Sequence, residues 1–475
     1  MLFNSIDFII FLIAVVVIYY LIPNNRIRKV FLLGVSYYFY SCWNVAFLAI
    51  LFFVTLLSFG TALGYRRDGS KRDKRLLVTS IVLLLCPLLC FKYLDFFSHS
   101  IGDMLTLVGC RIQVPEFKLL LPVGISFYTF MSIGYVVDVF KQKVLPEKNL
   151  LDYALFIGFF PQIASGPIGR APQLLPQLKE KHPLLYDNVA KGCKMMLWGF
   201  FVKLVVGDRA GIYVDTVFGN YMHHNGSSLL LASFMYTIQI YCDFAGYSLI
   251  AIGAAKTMGY ELMNNFKRPY FAKNVGEFWR RWHISLSTWF RDYVYIPLGG
   301  SRCSKGRMYL NLIITFLVSG LWHGAAYTFI VWGLLHGLVQ VVDKATISCR
   351  NQLWAKVKIN ENSAFRRVLN IFITFVIVSY LWMIFYAKDF SMVLGITKRY
   401  FVSGKPYIHQ TTIFFFVIGF LILLLKDLKD EFLPGKRWLL NSNKVGVRYL
   451  SFVALLFVII FCGILGGGDF IYFKF

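Results

Sequence analysis

Apolar residues recur along this chain in stretches of about 20, the length of helix that crosses a hydrocarbon core. The stretches are 2–23, 30–45, 46–65, 76–94, 119–137, 228–255, 368–387, 411–425 and 449–467, with shorter or broken ones near 150–166 and 194–206. That segmentation leaves few options, because in lipid every backbone polar group must be satisfied internally and helices do this within one segment. Hydrophobic residues make up 57% of the 475 and charged residues only 15%, against about 25% charged in a soluble chain. Disorder, a secreted disulfide scaffold and an ordinary cytosolic enzyme are excluded. The expected fold is an all-α polytopic membrane protein of about 11–13 membrane segments. No internal repeat supports an inverted-repeat transporter.

The net charge of +25 reads as topogenic and not as a nucleic-acid footprint. Arg26, Arg28 and Lys29 follow the first apolar run, and Arg66, Arg67, Lys71, Arg72, Lys74 and Arg75 follow the third. Basic residues accumulate in cytoplasmic loops, so both connections read as inside and Met1 as outside. Lys436, Arg437, Lys444 and Arg448 mark the start of the last run as cytoplasmic, which puts both termini outside. The first run lacks a basic flank before it and a cleavage site after it, and reads as a retained helix, not a signal peptide. The nine cysteines have no metal-binding spacing and read as small hydrophobes.

Asn311 to Val342 is a run of 32 residues with no charged side chain unless its two histidines are protonated. As one helix it would be about 48 Å long, too much for an untilted span. A break is expected at Ser319-Gly320-Leu321-Trp322-His323-Gly324. Ionisable residues inside membrane segments tend to mark functional sites, and non-helical backbone at that depth must be buried or line a cavity. His323 at a glycine-flanked break therefore points to a polar tunnel among re-entrant helices. The alternative is a core histidine satisfied by a carbonyl, with Gly320 and Gly324 as a helix-packing pair. On a continuous helix His336 would lie about 20 Å and about 220° from His323, so it reads as a packing or hydrogen-bonding residue.

Asp243, in the apolar setting Gln239-Ile240-Tyr241-Cys242-Asp243-Phe244-Ala245-Gly246, is either a cap at a helix break or a cavity-lining carboxylate. From Lys256 to Arg307 the chain carries ten basic and three acidic residues among many aromatics. It reads as an interfacial helix with snorkelling arginines, or as a re-entrant segment whose cations meet a phosphorylated ligand. Serine elbows, phosphate loops and metal-binding His pairs are absent from the sequence. General-base catalysis by a neutral imidazole on a hydroxyl is then the simplest chemistry.

Several motifs, taken in order, resemble the membrane-bound O-acyltransferase family, and within it the bacterial branch that works with alginate and other polysaccharides. They are Leu121–Phe130, Phe159–Ile168, the stretch around Asp243 through Ser248, Phe278–Gly300, Trp322-His323-Gly324 and the C-terminal Phe470–Phe475. The resemblance implies one such domain over 1–475, with His323 catalytic in a central tunnel. His283 is implied as the second functional polar position, where many relatives carry Asn. The implied activity passes an acyl group, usually acetyl, from a cytoplasmic thioester such as acetyl-CoA to hydroxyls of an extracytoplasmic polysaccharide. It implies no tightly bound cofactor and no metal, and an extracytoplasmic esterase-like partner that often carries the group onward. The implied location is the bacterial cytoplasmic membrane, in multi-pass form. Arg280, Arg281, Arg291, Asp292, Trp322 and Asp243 are then expected to bind donor or line the tunnel, with Arg281 and its neighbours on phosphate. D-alanyl transfer to teichoic acid is the alternative within the family. A transporter or a non-catalytic scaffold is the alternative outside it.

Overall fold

The structure is a computed structural model that describes residues 1–109, 114, 115, 117, 119–164, 166–360 and 363–466. Ser165, Cys110 and the motif Phe470–Phe475 lie outside the described residues. Every regular element among the described residues is helical. Two compact units are present: Met1–Cys193 with Ala251–Met263, and Lys194–Ile250 with Asn264–Phe475.

The first unit holds α1 (Ile6–Leu21), α2 (Asn25–Ser41), α3 (Phe47–Gly64), α4 (Lys71–Leu107), α5 (Ile125–Phe140), α6 (Leu150–Gly158), α7 (Phe160–Ile163), α8 (Ala171–Lys179) and the start of α9 (Tyr186–Phe200). Helix α5 is its centre, with every side chain from Phe127 to Val139 buried. Gly124 caps α5 at φ +72°, where a Cβ would run into the Ile163 carbonyl. The two motifs Leu121–Phe130 and Phe159–Ile168 are thereby packed on each other through a position only glycine fills. Arg28 and Lys29, expected as topogenic charges, make structural contacts in this unit. Arg28 is buried, donating to the carbonyls of Ile22 and His182, and Lys29 pairs with Asp152 at 2.7 Å.

The second unit holds α10 (Asp208–Gly219), most of α11 (Gly226–Thr257), α12 (Val275–Arg281), α13 (Ile284–Phe290), α14 (Lys305–His323), α15 (Tyr327–Lys356), α16 (Ala364–Tyr386), α17 (Phe390–Arg399), α18 (Gln410–Phe432) and α19 (Val445–Cys462). By length and composition seven of the described helices can cross a membrane (α3, α4, α11, α15, α16, α18 and α19), and α1 and α5 are shorter apolar helices. The interrupted apolar stretches behave as their lengths suggest. The stretch near 150–166 holds α6 and α7, which end by Ile163, and 194–206 end α9 and run into a π-helical turn, Phe201–Gly207. Helix α4 is longer than its apolar stretch, at 37 residues with Pro87 inside. Of the eight described cysteines only Cys242 and Cys462 are buried.

Two readings of the sequence are corrected. The Lys256–Arg307 segment is not an interfacial helix. It breaks into a 3₁₀ turn, α12, α13 and a π-helical turn at Arg291–Tyr295, and Trp279, Trp282 and Trp289 are buried in protein, so they present no exposed anchoring face. Nor does Asp243 cap a break, since α11 runs through it for 32 residues. Gly246 serves close packing instead: a Cβ there would lie 2.8 Å from the Gly199 carbonyl and from Lys203 Cβ.

Candidate functional site

The long apolar run breaks where its length demanded. Helix α14 stops at His323, Gly324 is extended, and α15 starts at Tyr327. The two helices fold back on each other through glycine. A Cβ on Gly320 would strike the Phe329 carbonyl, and one on Gly333 the Phe316 carbonyl. Gly320 therefore pairs with Gly333 across the hairpin and not with Gly324, which faces the Phe329 ring. This close approach holds the end of α14, and with it the His323 imidazole, against α15.

His323 is buried, 3% exposed, in an aromatic box. Its ring centroid lies 4.8 Å from Trp322, 5.0 Å from Trp332 and 5.3 Å from Phe385, each edge to face. His336 sits beyond Trp332, with ring centroids 4.8 Å apart, and its Nδ1 accepts from Trp279 Nε1 at 3.2 Å. The break brings the two histidines closer than a continuous helix would allow, yet an indole stands between them.

His283 is fully buried at the joint between α12 and α13, in the left-handed region at φ +41°. Non-glycine residues seldom occupy that region, and where they do the surroundings must enforce it. Here Asn265 is the enforcer. Its carbonyl accepts from the Ile284 N–H at 2.9 Å, and its Oδ1 accepts from Ser285 Oγ at 2.7 Å, while its Nδ2 donates to Ser248 Oγ at 3.1 Å. The His283 ring packs 4.6 Å from Phe244 and 6.1 Å from Trp322. Trp322 thus touches both His283 and His323, which are 40 residues apart in sequence.

Next to this aromatic cluster a cavity of about 540 Å³ is lined by Lys203, Asp208, Asp215, Tyr236, Gln239, Asp243, Phe329, Phe385 and Tyr386, among others. Phe385 faces the cavity and also meets the His323 ring. Lys203, on the π-helical turn and 1% exposed at its side chain, pairs with Asp208 at 2.7 Å and with Asp243. It also lies 5.5 Å over the Tyr247 ring. Asp243 is therefore a cavity-lining carboxylate held by a buried lysine. Sequence reasoning passed over Lys203, Asn265, Trp332 and Phe385. Of these only Lys203 carried a signal, as an ionisable residue inside the apolar stretch 194–206.

The expected arginine cluster does not gather on one ligand. Arg281 is committed to protein carboxylates, donating to Glu277 at 2.7 Å and to both oxygens of Glu431 at 3.0 Å. Burial penalises its charge, but those two carboxylates prevail and raise its pKa above the ordinary arginine value. Arg280 projects outward from α12, and Arg291 is exposed and bonded to the neighbouring Asp292 at 2.8 Å.

The fold defines a multi-pass membrane protein, and the chain belongs to the membrane-bound O-acyltransferase family, whose model matches residues 32–386. It is a membrane-bound O-acyltransferase that takes an acyl donor as substrate. It is 37% identical over 409 residues to the probable alginate O-acetylase AlgI of Pseudomonas aeruginosa, covering 85% of this chain and 75% of that one. It is 33% identical over 402 residues to the peptidoglycan O-acetyltransferase of Helicobacter pylori, covering 79% and 74%. It is also 31% identical over 328 residues to the teichoic acid D-alanyltransferase of Bacillus subtilis, covering 66% and 78%.

Proposed function

We propose that this enzyme moves an acetyl group from a cytoplasmic thioester, acetyl-CoA or an acylated carrier, to hydroxyls of an extracytoplasmic polysaccharide, directly or through an esterase-like partner. The bacterial cytoplasmic membrane is its site of action. The observation that carries this reading is the placement of His323: buried at a helix break, sharing Trp322 with His283, and one phenyl ring away from a cavity that holds Lys203, Asp208 and Asp243. The relatives named as O-acetylase and O-acetyltransferase support the acetyl group and the glycan acceptor.

In the proposed step the His323 imidazole takes the proton of the acceptor hydroxyl as its oxygen attacks the thioester carbonyl. The C–O bond forms, the C–S bond breaks, and the proton passes to the departing thiolate. His283 positions the thioester on the other side of Trp322. The Lys203–Asp243 end of the cavity, with Tyr236 and Tyr386, offers hydroxyl partners and ring faces of the kind that suit an acceptor sugar. The exposed Arg280 and Arg291 suit the donor's phosphates, with Asp292 orienting Arg291 through their 2.8 Å contact, whereas Arg281 serves the fold.

The test is the O-acetyl content of the cell's glycan, normalised to protein in the membrane. His323→Ala should lower it by about 10²-fold or more, since general-base catalysis is worth about 10²–10⁴, with a smaller loss in His283→Ala. Wild-type acetylation in His323→Ala removes the mechanism. Mild alkaline release of D-alanine in place of acetate would reassign the acyl group to that of the Bacillus subtilis relative.

A further inference from the structure

We infer that the second unit carries a separate binding site for the anionic headgroup of a phospholipid in the cytoplasmic leaflet. The site is a cavity of about 580 Å³ at the α18–α19 connection, into which Lys194 of α9, Lys429 of α18, Lys436, Arg437 and Arg448 of α19 all turn. Among the described residues lining it Asp430 is the one carboxylate, and it is shared by Lys429 at 3.0 Å and Lys426 at 2.8 Å. Arg437 is oriented by Asn443, to which its Nη1 donates at 2.7 Å.

Charges placed only to orient a helix in the membrane need lie anywhere in the loop. Four of these five come from the α18–α19 stretch and the fifth, Lys194, from the distant α9, yet they converge on one concavity, which no topogenic rule requires. The surplus of cations calls for an anion, and its position selects the source. Basic pockets between membrane helices on the cytoplasmic side suit phospholipid headgroups, and the same basic loop was read as cytoplasmic from the sequence. The flanking helices supply a surface for acyl chains: Leu421 and Leu425 of α18 and Leu450 and Val453 of α19 are exposed. Trp438, exposed beside Arg437, is the residue type that settles at the headgroup level. A phosphate with attached acyl chains satisfies both halves of this surface, and a soluble phosphate satisfies only one.

The experiment is native mass spectrometry of the full chain in a neutral detergent, titrated with dioctanoyl phosphatidylglycerol or dioctanoyl phosphatidylcholine. The wild type should bind the anionic lipid more tightly. Each neutralised cation should cost about fivefold in affinity, so that Lys194→Gln/Lys436→Gln/Arg448→Gln loses about a hundredfold, with binding of phosphatidylcholine unchanged. The single charge reversal Lys436→Glu should give a selective loss in the same direction, should the triple variant fold poorly. Equal affinity for the two lipids, or unchanged phosphatidylglycerol binding in the variants, overturns the proposal. Displacement of the bound lipid by equimolar coenzyme A or inorganic phosphate overturns the lipid assignment as well.

Discussion

The charge group at the α11 crossing makes a sharp test, because one cation serves two carboxylates and all three side chains are largely buried. The side chains of Lys203, Asp208 and Asp243 are 1%, 8% and 5% exposed. Replacing Lys203 by Met keeps the stem and its packing and removes only the ammonium. Two carboxylates are then left buried beside each other, and breaking a buried ion pair from one side costs about 3–5 kcal/mol. Removing the opposing charge should recover much of this, because an uncharged pair of similar volume is often neutral relative to the ion pair. Lys203→Met should lower the melting temperature of the purified protein by several degrees. Lys203→Met/Asp243→Asn should recover more than half of the loss, with Asp208 left as the residual cost. The assay is a thermal melt in detergent, read by monodisperse protein remaining after heating, for both single variants and the double. Additive losses in the double variant, or a Lys203→Met protein that melts like wild type, would refute the reasoning that the lysine is there to neutralise buried charge.

Two further outcomes follow from the geometry of the site. His283→Asn should melt near the wild-type temperature and His283→Val well below it, because Asn tolerates the left-handed backbone at φ +41° and a β-branched residue does not; equal melts would remove the strain argument. Arg281→Gln should lower stability, since it removes the ion pair to Glu277 and the two-oxygen contact to Glu431 and leaves Glu431 with Arg268 at 2.8 Å, whereas Arg280→Gln should leave stability unchanged and raise the apparent KM for donor. A purely donor-side effect of Arg281→Gln would restore it to the binding site.

The break at His323 was legible because it follows from length alone. A charge-free run of that extent has to stop somewhere within a bilayer, and glycines beside a histidine are where it is least costly to stop. The helical class was legible for the same reason, since lipid leaves a chain little freedom in how to satisfy its backbone. The role of Arg281 was not legible. Glu431, which occupies it, lies 150 residues away, and composition reports the charge of a segment but not who neutralises it. Arg28 and Lys29 read as topogenic from their position in the chain, and their structural use was not legible because the partners His182 and Asp152 lie far away in sequence.

Tertiary structure alone decided that His283 and His323 meet across Trp322, that Trp332 keeps His336 apart from His323, and that Lys203 stands between Asp208 and Asp243. Sequence carries periodicity and length along one dimension, and these set which segments are helices and where a helix must end. Which side chains share a cavity depends on how closely two helices approach and at what rotation. Here that was settled by glycines pressed on backbone, Gly320 on Gly333 and Gly199 on Gly246, contacts whose partners a linear reading has no means to pair.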